Sequence, residues 1–310
     1  MRRLRICALA LLITGCDFSS PVDIDLPEYT PLLVVGGFLE EGRPIEVRFG
    51  RSAGSEELSS AATPYLASGV TAIIYDEKGT VLDTLQSALP LPGTPYPRYV
   101  SSIVAEGGRR YRLSAEVEGL PPITAETLIP QPASITVVNT GLRTLDGLDN
   151  LFRVVSVDWD DLEGETVYAL TVFDEARADG ALGGRIPFLS DDLDLRKDYD
   201  GLGRPLIVDP RLGSGPREFT GAAFLNDETF VSGSKSVEIL IVTEANAYVA
   251  DVGIAVLSPE MVRYMTALRI QGLTVNDPFT EPTQAYTNIE NGLGAFVGLA
   301  VVTRPVEIRP

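Results

Sequence analysis

The sequence predicts a mostly β protein of two β-sandwich-like domains, the N-terminal one immunoglobulin-like or transthyretin-like, with one short helix in the C-terminal one. Three observations carry this expectation. Short apolar runs, several alternating with polar residues at period two, recur between clusters of turn residues, the pattern of half-buried strands. Gly 29 and Pro 22 among 310 residues favour turn-rich β architecture over helical bundles. A chain of 310 residues also exceeds what one compact core usually needs, so two domains are expected. Its hydrophobic content of 45% with 22% charged residues belongs to a chain that folds.

The first sixteen residues, MRRLRICALALLITGC, read as an address. Arg2, Arg3 and Arg5 make a basic start, and residues 6–13 an apolar stretch too short to span a bilayer. Ile13-Thr14-Gly15-Cys16 is similar to the lipobox of bacterial lipoprotein precursors. Small residues at 14 and 15 admit the peptidase, cleavage falls between Gly15 and Cys16, and the Cys16 thiol takes the lipid. The expectation is a signal peptide over 1–15 and about three acyl chains on Cys16, where two or more suffice for stable anchoring. Cys7 leaves with the signal and Cys16 is consumed, so disulfides, thiol catalysis and Cys-zinc sites drop out. After Cys16 the longest apolar run, 294–302, has nine residues, well short of the ~20 of a spanning helix. Losing residues 1–15 removes three arginines and no acid, which moves the net charge from −18 to −21. Such a surface disfavours nucleic acid and anionic lipid, both of which need clustered cations. With only Lys78, Lys197 and Lys235 against 22 arginines, it also fits the hydrated acidic surfaces of proteins adapted to high salt.

Residues 16–30 are an acidic tether, with Pro21 and Pro27 blocking helix and central strand. The N-terminal sandwich is placed at 31–132. Residues 32–38 form a buried-type run and 45–49 alternate. Residues 70–75 and 80–85 form a hairpin across Asp76-Glu77-Lys78-Gly79, with Gly79 suited to positive φ. Strands follow at 98–104, at 108–117 (Tyr111, Leu113, Ala115 and Val117 on one face, Tyr111 as a corner or core residue) and at 123–129. About seven strands in a hundred residues fit the sandwich. Pro130-Gln131-Pro132 marks the boundary to a C-terminal β-rich domain, 133–310. There 152–159 and 166–173 are expected to pair across the turn 160–164, and 237–243, 252–257 and 295–303 read as buried strands. Ser258 caps a helix with Pro259 at its first position, and Met261, Tyr264, Met265 and Leu268 share its packing face, ending near Gln271-Gly272. A long loop, rich in Gly, Pro and Asp, occupies 174–220, and loops of that length are usually functional or disordered.

The absence of histidine excludes Ser-His-Asp and Cys-His catalysis and every His-ligated metal site. The acidic run 191–201 reads as a solvated loop. Asp194, Asp198 and Asp200 are its candidate ligands were calcium to bind, but the EF-hand spacing is missing and Arg196 and Lys197 intrude. Ser232-Gly233-Ser234-Lys235 matches S-x-x-K, yet it precedes a strand, no K-T-G follows, and it reads as a hairpin turn. Paired carboxylates for glycoside hydrolysis are available among 43 acids, but the one tryptophan, Trp159, reads as core beside Val155 and Val157. Tyr96 and Tyr99 are the candidate exposed aromatics. No Walker loop or dinucleotide fingerprint occurs, and neither cofactor nor metal is expected.

The segment 276–296 holds Pro278-Phe279 and Pro282, then Asn288-Ile289, Gly292, Gly294 and Phe296. It resembles the closing signature, P-F-x-x-P … N-I-x-x-G-x-G-x-F, of an uncharacterised lipoprotein family of the Bacteroidota. The lipobox, LVVGGFL at 33–39, G-x-x-Y-x-L at 108–113, Pro130-Gln131-Pro132 and Val157-Asp158-Trp159-Asp160-Asp161 before Tyr168 fall in that family's order along nearly the whole chain. The family is typically encoded beside TonB-dependent outer-membrane receptors, so the resemblance implies an accessory role in nutrient capture; it brings no catalytic residues. The glycines argue that the motif itself is structural. Asp17, Asp23 and Asp25 are similar to surface-export signals of the phylum, which implies the cell surface rather than the periplasmic face. The expected function is therefore a non-enzymatic, lipid-anchored partner of a TonB-dependent receptor, contacting it or an unidentified ligand through 174–220 and 276–296. The alternatives are a surface glycoside or peptide hydrolase using an Asp/Glu pair, or a structural or adhesive envelope lipoprotein.

Overall fold

Alternation in the sequence becomes one-sided burial in the computed structural model, whose described residues are 29–54, 66–90, 97–145, 150–164, 166–174, 184–196, 216–230, 233–244, 246–274 and 286–309. The sheets all lie in the unit Pro31–Pro310. The first strands are β1 (Leu33–Glu40), β2 (Pro44–Arg51), β3 (Thr71–Tyr75), β4 (Val81–Thr84), β5 (Gln86–Ala88), β6 (Arg98–Val104), β7 (Arg110–Glu116) and β8 (Ile123–Leu128). After residues 130–132 come β9 (Ile135–Thr144), β10 (Leu151–Asp160), β11 (Val167–Asp174), β12 (Phe188–Ser190), β13 (Arg217–Phe219) and β14 (Ala223–Asn226). The chain ends with β15 (Ser234–Val242), β16 (Tyr248–Leu257), the helix α1 (Pro259–Thr274), β17 (Ile289–Glu290) and β18 (Gly292–Ile308). The protein is mostly β with one α-helix among the described residues, as its turn-rich composition leads one to expect.

Three sheets result. One has eight strands in the order β14-β11-β16-β18-β1-β2-β6-β5, and two have five, β13-β12-β15-β10-β9 and β17-β8-β7-β3-β4. The five-stranded sheets each cover half of the long one. Phe49, Tyr111, Leu113 and Phe296 centre one core, and Trp159, Tyr168, Phe188 and Phe219 the other. The long sheet carries strands from both sides of residues 130–132, because β18 joins them. Its first half runs parallel to β1, from Leu33 opposite Gly292 to Glu40 opposite Leu299. Its second half runs antiparallel to β16, from Leu257 opposite Leu299 to Tyr248 opposite Ile308.

Several local expectations are met. The β3–β4 hairpin turns at Gly79 with φ +80, and the Asp76 carboxylate accepts from the backbone of Lys78 and Thr80. Ser258 Oγ accepts from Met261 N at 3.2 Å, capping α1, which runs on to Thr274. Others differ. β1 keeps Phe38 47% exposed, because its second face looks outward. β10 and β11 do not pair: β10 lies between β9 and β15, and β11 between β14 and β16. The turn 160–164 instead crosses from one sheet to the other, which lets Trp159 and Tyr168 face each other across the core at 6.0 Å. Tyr168 fixes this crossing by accepting from Leu162 N (2.9 Å) and donating to Asp161 Oδ1 (3.0 Å). The described parts of the 174–220 loop hold β12 and β13. Gly233–Lys235 follows a link between two sheets (β14 to β15) rather than a hairpin turn.

Candidate functional site

The strands under α1 alternate in size rather than in polarity. Along β11 the inner face carries Tyr168, Leu170 and Val172, and the outer face Ala169 and Thr171. Along β16 the inner face carries Val252, Ile254 and Val256, and the outer face Gly253 and Ala255. Register brings the small residues together. Phe224, Ala169, Ala255 and Val301 stand side by side across four strands, with the two alanines in the middle. The outer face of the sheet is therefore sunken there, and a groove of about 440 Å³ lies over it. Met261 and Met265 of α1 with Leu257 and Leu299 form one wall, and Phe173, Phe219 and the stretch 220–222 the other. That volume is in the range of small-molecule sites, as is a largely apolar lining with few polar groups.

The polar groups of the groove are few and unequal. Glu40 at one end is bonded to Arg43 at 2.9 Å. The Thr171 hydroxyl donates to Gly253 O. Arg185, brought in by a bridge to Phe173, is exposed and makes no ion pair with a described residue. Composition could not reveal this groove, since alanines and glycines signal nothing singly; the large-small alternation of β11 and β16 was the readable sign.

The described acids of the charged loop, Asp191, Asp192 and Asp194, are spent on ion pairs. Lys235 Nζ lies 2.5 Å from Asp194 Oδ2 and 3.1 Å from Asp192 Oδ2. Burial alone would lower the Lys235 pKa, but these bonds outweigh it and hold it above its ordinary value. Arg217 donates to the Asp192 carbonyl. Asp194 is thus ion-paired, and Asp198 and Asp200 lie outside the described residues. Among the described residues no cluster of three metal-binding side chains occurs. Among the described residues two carboxyls have displaced pKa values and both move down: Asp83 to about 2, chiefly through the Ser101 hydroxyl and despite some desolvation, and Asp76 chiefly through the Thr80 amide. Hydrolysis by a carboxyl pair calls for one raised value.

Of the C-terminal motif, Pro278, Phe279 and Pro282 lie outside the described residues, as do Gly15 and Cys16. The rest closes the N-terminal core. Asn288 Nδ2 donates to Phe296 O (2.6 Å) and Glu126 O (3.0 Å), and Phe296 N donates to Asn288 Oδ1 (2.9 Å). Ile289 and Phe296 are buried. Gly292 and Gly294 let β18 lie against β1, and at Gly294 (φ +98) a Cβ would fall 2.0 Å from Val35 O. Trp159 is core, as the alternation of β10 requires. Tyr99, a candidate exposed aromatic, is instead buried edge-on against Phe49 at 5.1 Å and accepts from Val70 N; Tyr96 lies outside the described residues. Tyr111 is a core residue that accepts from Glu106 N.

The family profile described as DUF4249, a domain of unknown function, matches residues 19–304. The chain belongs to the DUF4249 family. No curated protein matches it. Among solved structures this DUF4249 chain is similar to a mutant Salmonella alpha-2-macroglobulin, with 11% identity and TM-score 0.25 over 92% of the chain and 15% of that protein. Similarity to the native conformation of E. coli alpha-2-macroglobulin gives 14% identity and TM-score 0.24 over 91% of the chain and 14% of that protein. The BSP domain of a biofilm-associated protein gives 5% identity and TM-score 0.20, covering 89% and 59%. The chain spans about a seventh of the alpha-2-macroglobulins it matches.

Proposed function

We propose that the protein is a non-enzymatic lipoprotein, anchored in the outer membrane through Cys16, that serves a TonB-dependent receptor as an accessory, ligand-binding partner in nutrient uptake. The observation that carries the binding reading is the groove beside α1. It is apolar, large enough for a small molecule and, among the described residues, lined by a single carboxylate, Glu40, already held by Arg43. That is the composition of a binding site rather than of an acid–base centre, which needs two groups with separated pKa values. The address rests on the lipobox at 13–16, and the receptor on the family's expected gene neighbourhood in the Bacteroidota. Exposure at the cell surface rests on Asp17, Asp23 and Asp25.

The test is affinity purification of the tagged protein from detergent-solubilised outer membrane, with Cys16→Ala as the unanchored control and partners identified by mass spectrometry. Recovery of a TonB-dependent receptor in near-equal amount is the expected result. A membrane protein that purifies alone, or a Cys16→Ala form that still fractionates with the membrane, overturns the reading.

A further inference from the structure

The groove beside α1 is not equally apolar along its length, and its asymmetry points to a class of ligand. We infer that it takes a free single-chain amphiphile with one anionic head, the chain lying across the alanine floor and the head on Arg185. The inference deepens the ligand-binding reading and rests on it.

Four features lead there. The floor runs over β18, β16, β11 and β14, three strand spacings or about 14 Å, which suits an extended chain of medium length. Side chains large enough to fill it are withheld in the middle, at Ala169 and Ala255. The wall on the helix side is supplied by Met261 and Met265, and unbranched thioethers adapt to a flexible chain better than branched side chains do.

The charges distinguish the two ends. At the Glu40 end the carboxylate is neutralised by Arg43 at 2.9 Å. At the other end Arg185 stands exposed without an ion pair to a described residue, although acids outnumber bases 43 to 25 in the chain and Arg48, Arg98, Arg109, Arg110 and Arg143 all have carboxylate partners. Its Nη1 lies beside Gly221, 3.2 Å from where a Cβ would sit, so the guanidinium rests along the groove wall where that residue has no side chain. Thr220, exposed on the same wall, adds a hydroxyl within the same rim. A planar guanidinium is well matched to a carboxylate. The net negative charge of the protein opposes any anion at long range, so selection of the head is made at contact distance by Arg185.

The experiment is isothermal titration of the full chain carrying Cys16→Ala, which avoids detergent in the groove, with decanoate, 1-decanol and decyltrimethylammonium below their micelle concentrations. Decanoate is expected to bind once per chain and at least tenfold tighter than the cation. Arg185→Gln, at an exposed position, is expected to weaken decanoate about tenfold or more while leaving 1-decanol unchanged. Ala255→Phe, with circular dichroism checking its fold, is expected to abolish both. Equal binding of anion and cation, or decanoate binding indifferent to Arg185→Gln, overturns the head assignment while leaving the groove a ligand site. Absence of binding by all three amphiphiles overturns the site itself, whatever the receptor purification gives. Arg185-dependent sedimentation with phosphatidylglycerol vesicles in place of decanoate binding overturns the free amphiphile in favour of a lipid headgroup.

Discussion

Replacing Asn288 by alanine removes three hydrogen bonds at once: two donated by its amide to Phe296 O and Glu126 O, and one accepted from Phe296 N. Each is worth about 1 kcal/mol net, so the expected loss is about 3 kcal/mol. Asn288→Asp sharpens the reasoning. The acceptor for Phe296 N survives, but a carboxylate now faces two carbonyls, so at pH 7 the loss is at least as large as for alanine. Those carbonyls favour the protonated acid, which raises its folded pKa above the unfolded value of about 3.9. The stability linked to that raised pKa is fully present below pH ~3.9 and is lost as pH rises through the folded value. Urea unfolding at pH 3.5 and pH 7 measures both effects, the wild type correcting for the rest of the chain. Trp159, the one tryptophan, sits in the other core, so its fluorescence also reports whether damage at Asn288 reaches across β18. A loss under 1 kcal/mol for Asn288→Ala, or an Asn288→Asp defect that does not diminish at low pH, refutes the argument.

Four further outcomes are expected. Gly294→Ala, with φ +98 and a Cβ driven into Val35 O at 2.0 Å, should cost about 4 kcal/mol or more and leave little soluble protein. Gly79→Ala, at φ +80 in open space, should cost about 1 kcal/mol in the same urea assay; equal effects would contradict the clash. Ser258→Ala removes both the α1 cap and the acceptor for Gly298 N (3.2 Å each), with a loss of about 1–2 kcal/mol by thermal melting. The Asp83 carboxyl is held at about 2, chiefly by the Ser101 hydroxyl. Its contribution is therefore present above pH 3.8 and lost as pH falls towards 2. Asp83→Asn should lower stability at pH 7 by no more than about 1 kcal/mol, given its contact with water, and the gap to wild type should narrow steadily as pH falls towards 2.

The strands themselves were legible because burial on one face writes itself as alternation, as in Tyr111, Leu113 and Ala115, and the helix start because Ser258-Pro259 leaves few other options. Pairing was less so. Nearness along the chain favoured β10 with β11, whereas the crossing held by Tyr168 sends them to opposite sheets, a choice made by Trp159 and Tyr168 packing across the core rather than by any turn residue. Tyr99 looked outward because it lies beside prolines, yet Phe49, fifty positions earlier, supplies the wall that buries it. The groove left no polar trace. It arises where small residues from strands distant in sequence fall into one register, and a single chain read linearly does not show register.

The last strand completes the first core. Leu33 has its parallel neighbour only when Gly292 is present, and Phe296 fills the centre of a cluster otherwise drawn from residues 33–129 and Ile289. During synthesis the N-terminal half is therefore held unfinished until residues 289–299 have emerged, with β1 presenting an unpaired edge in the meantime. Contacts so distant in sequence fold slowly. A chain delivered from its N-terminus, by a ribosome or through a membrane pore, closes this core only once Phe296 has been delivered, and truncation before β18 leaves β1 without its parallel neighbour and β16 without its antiparallel one.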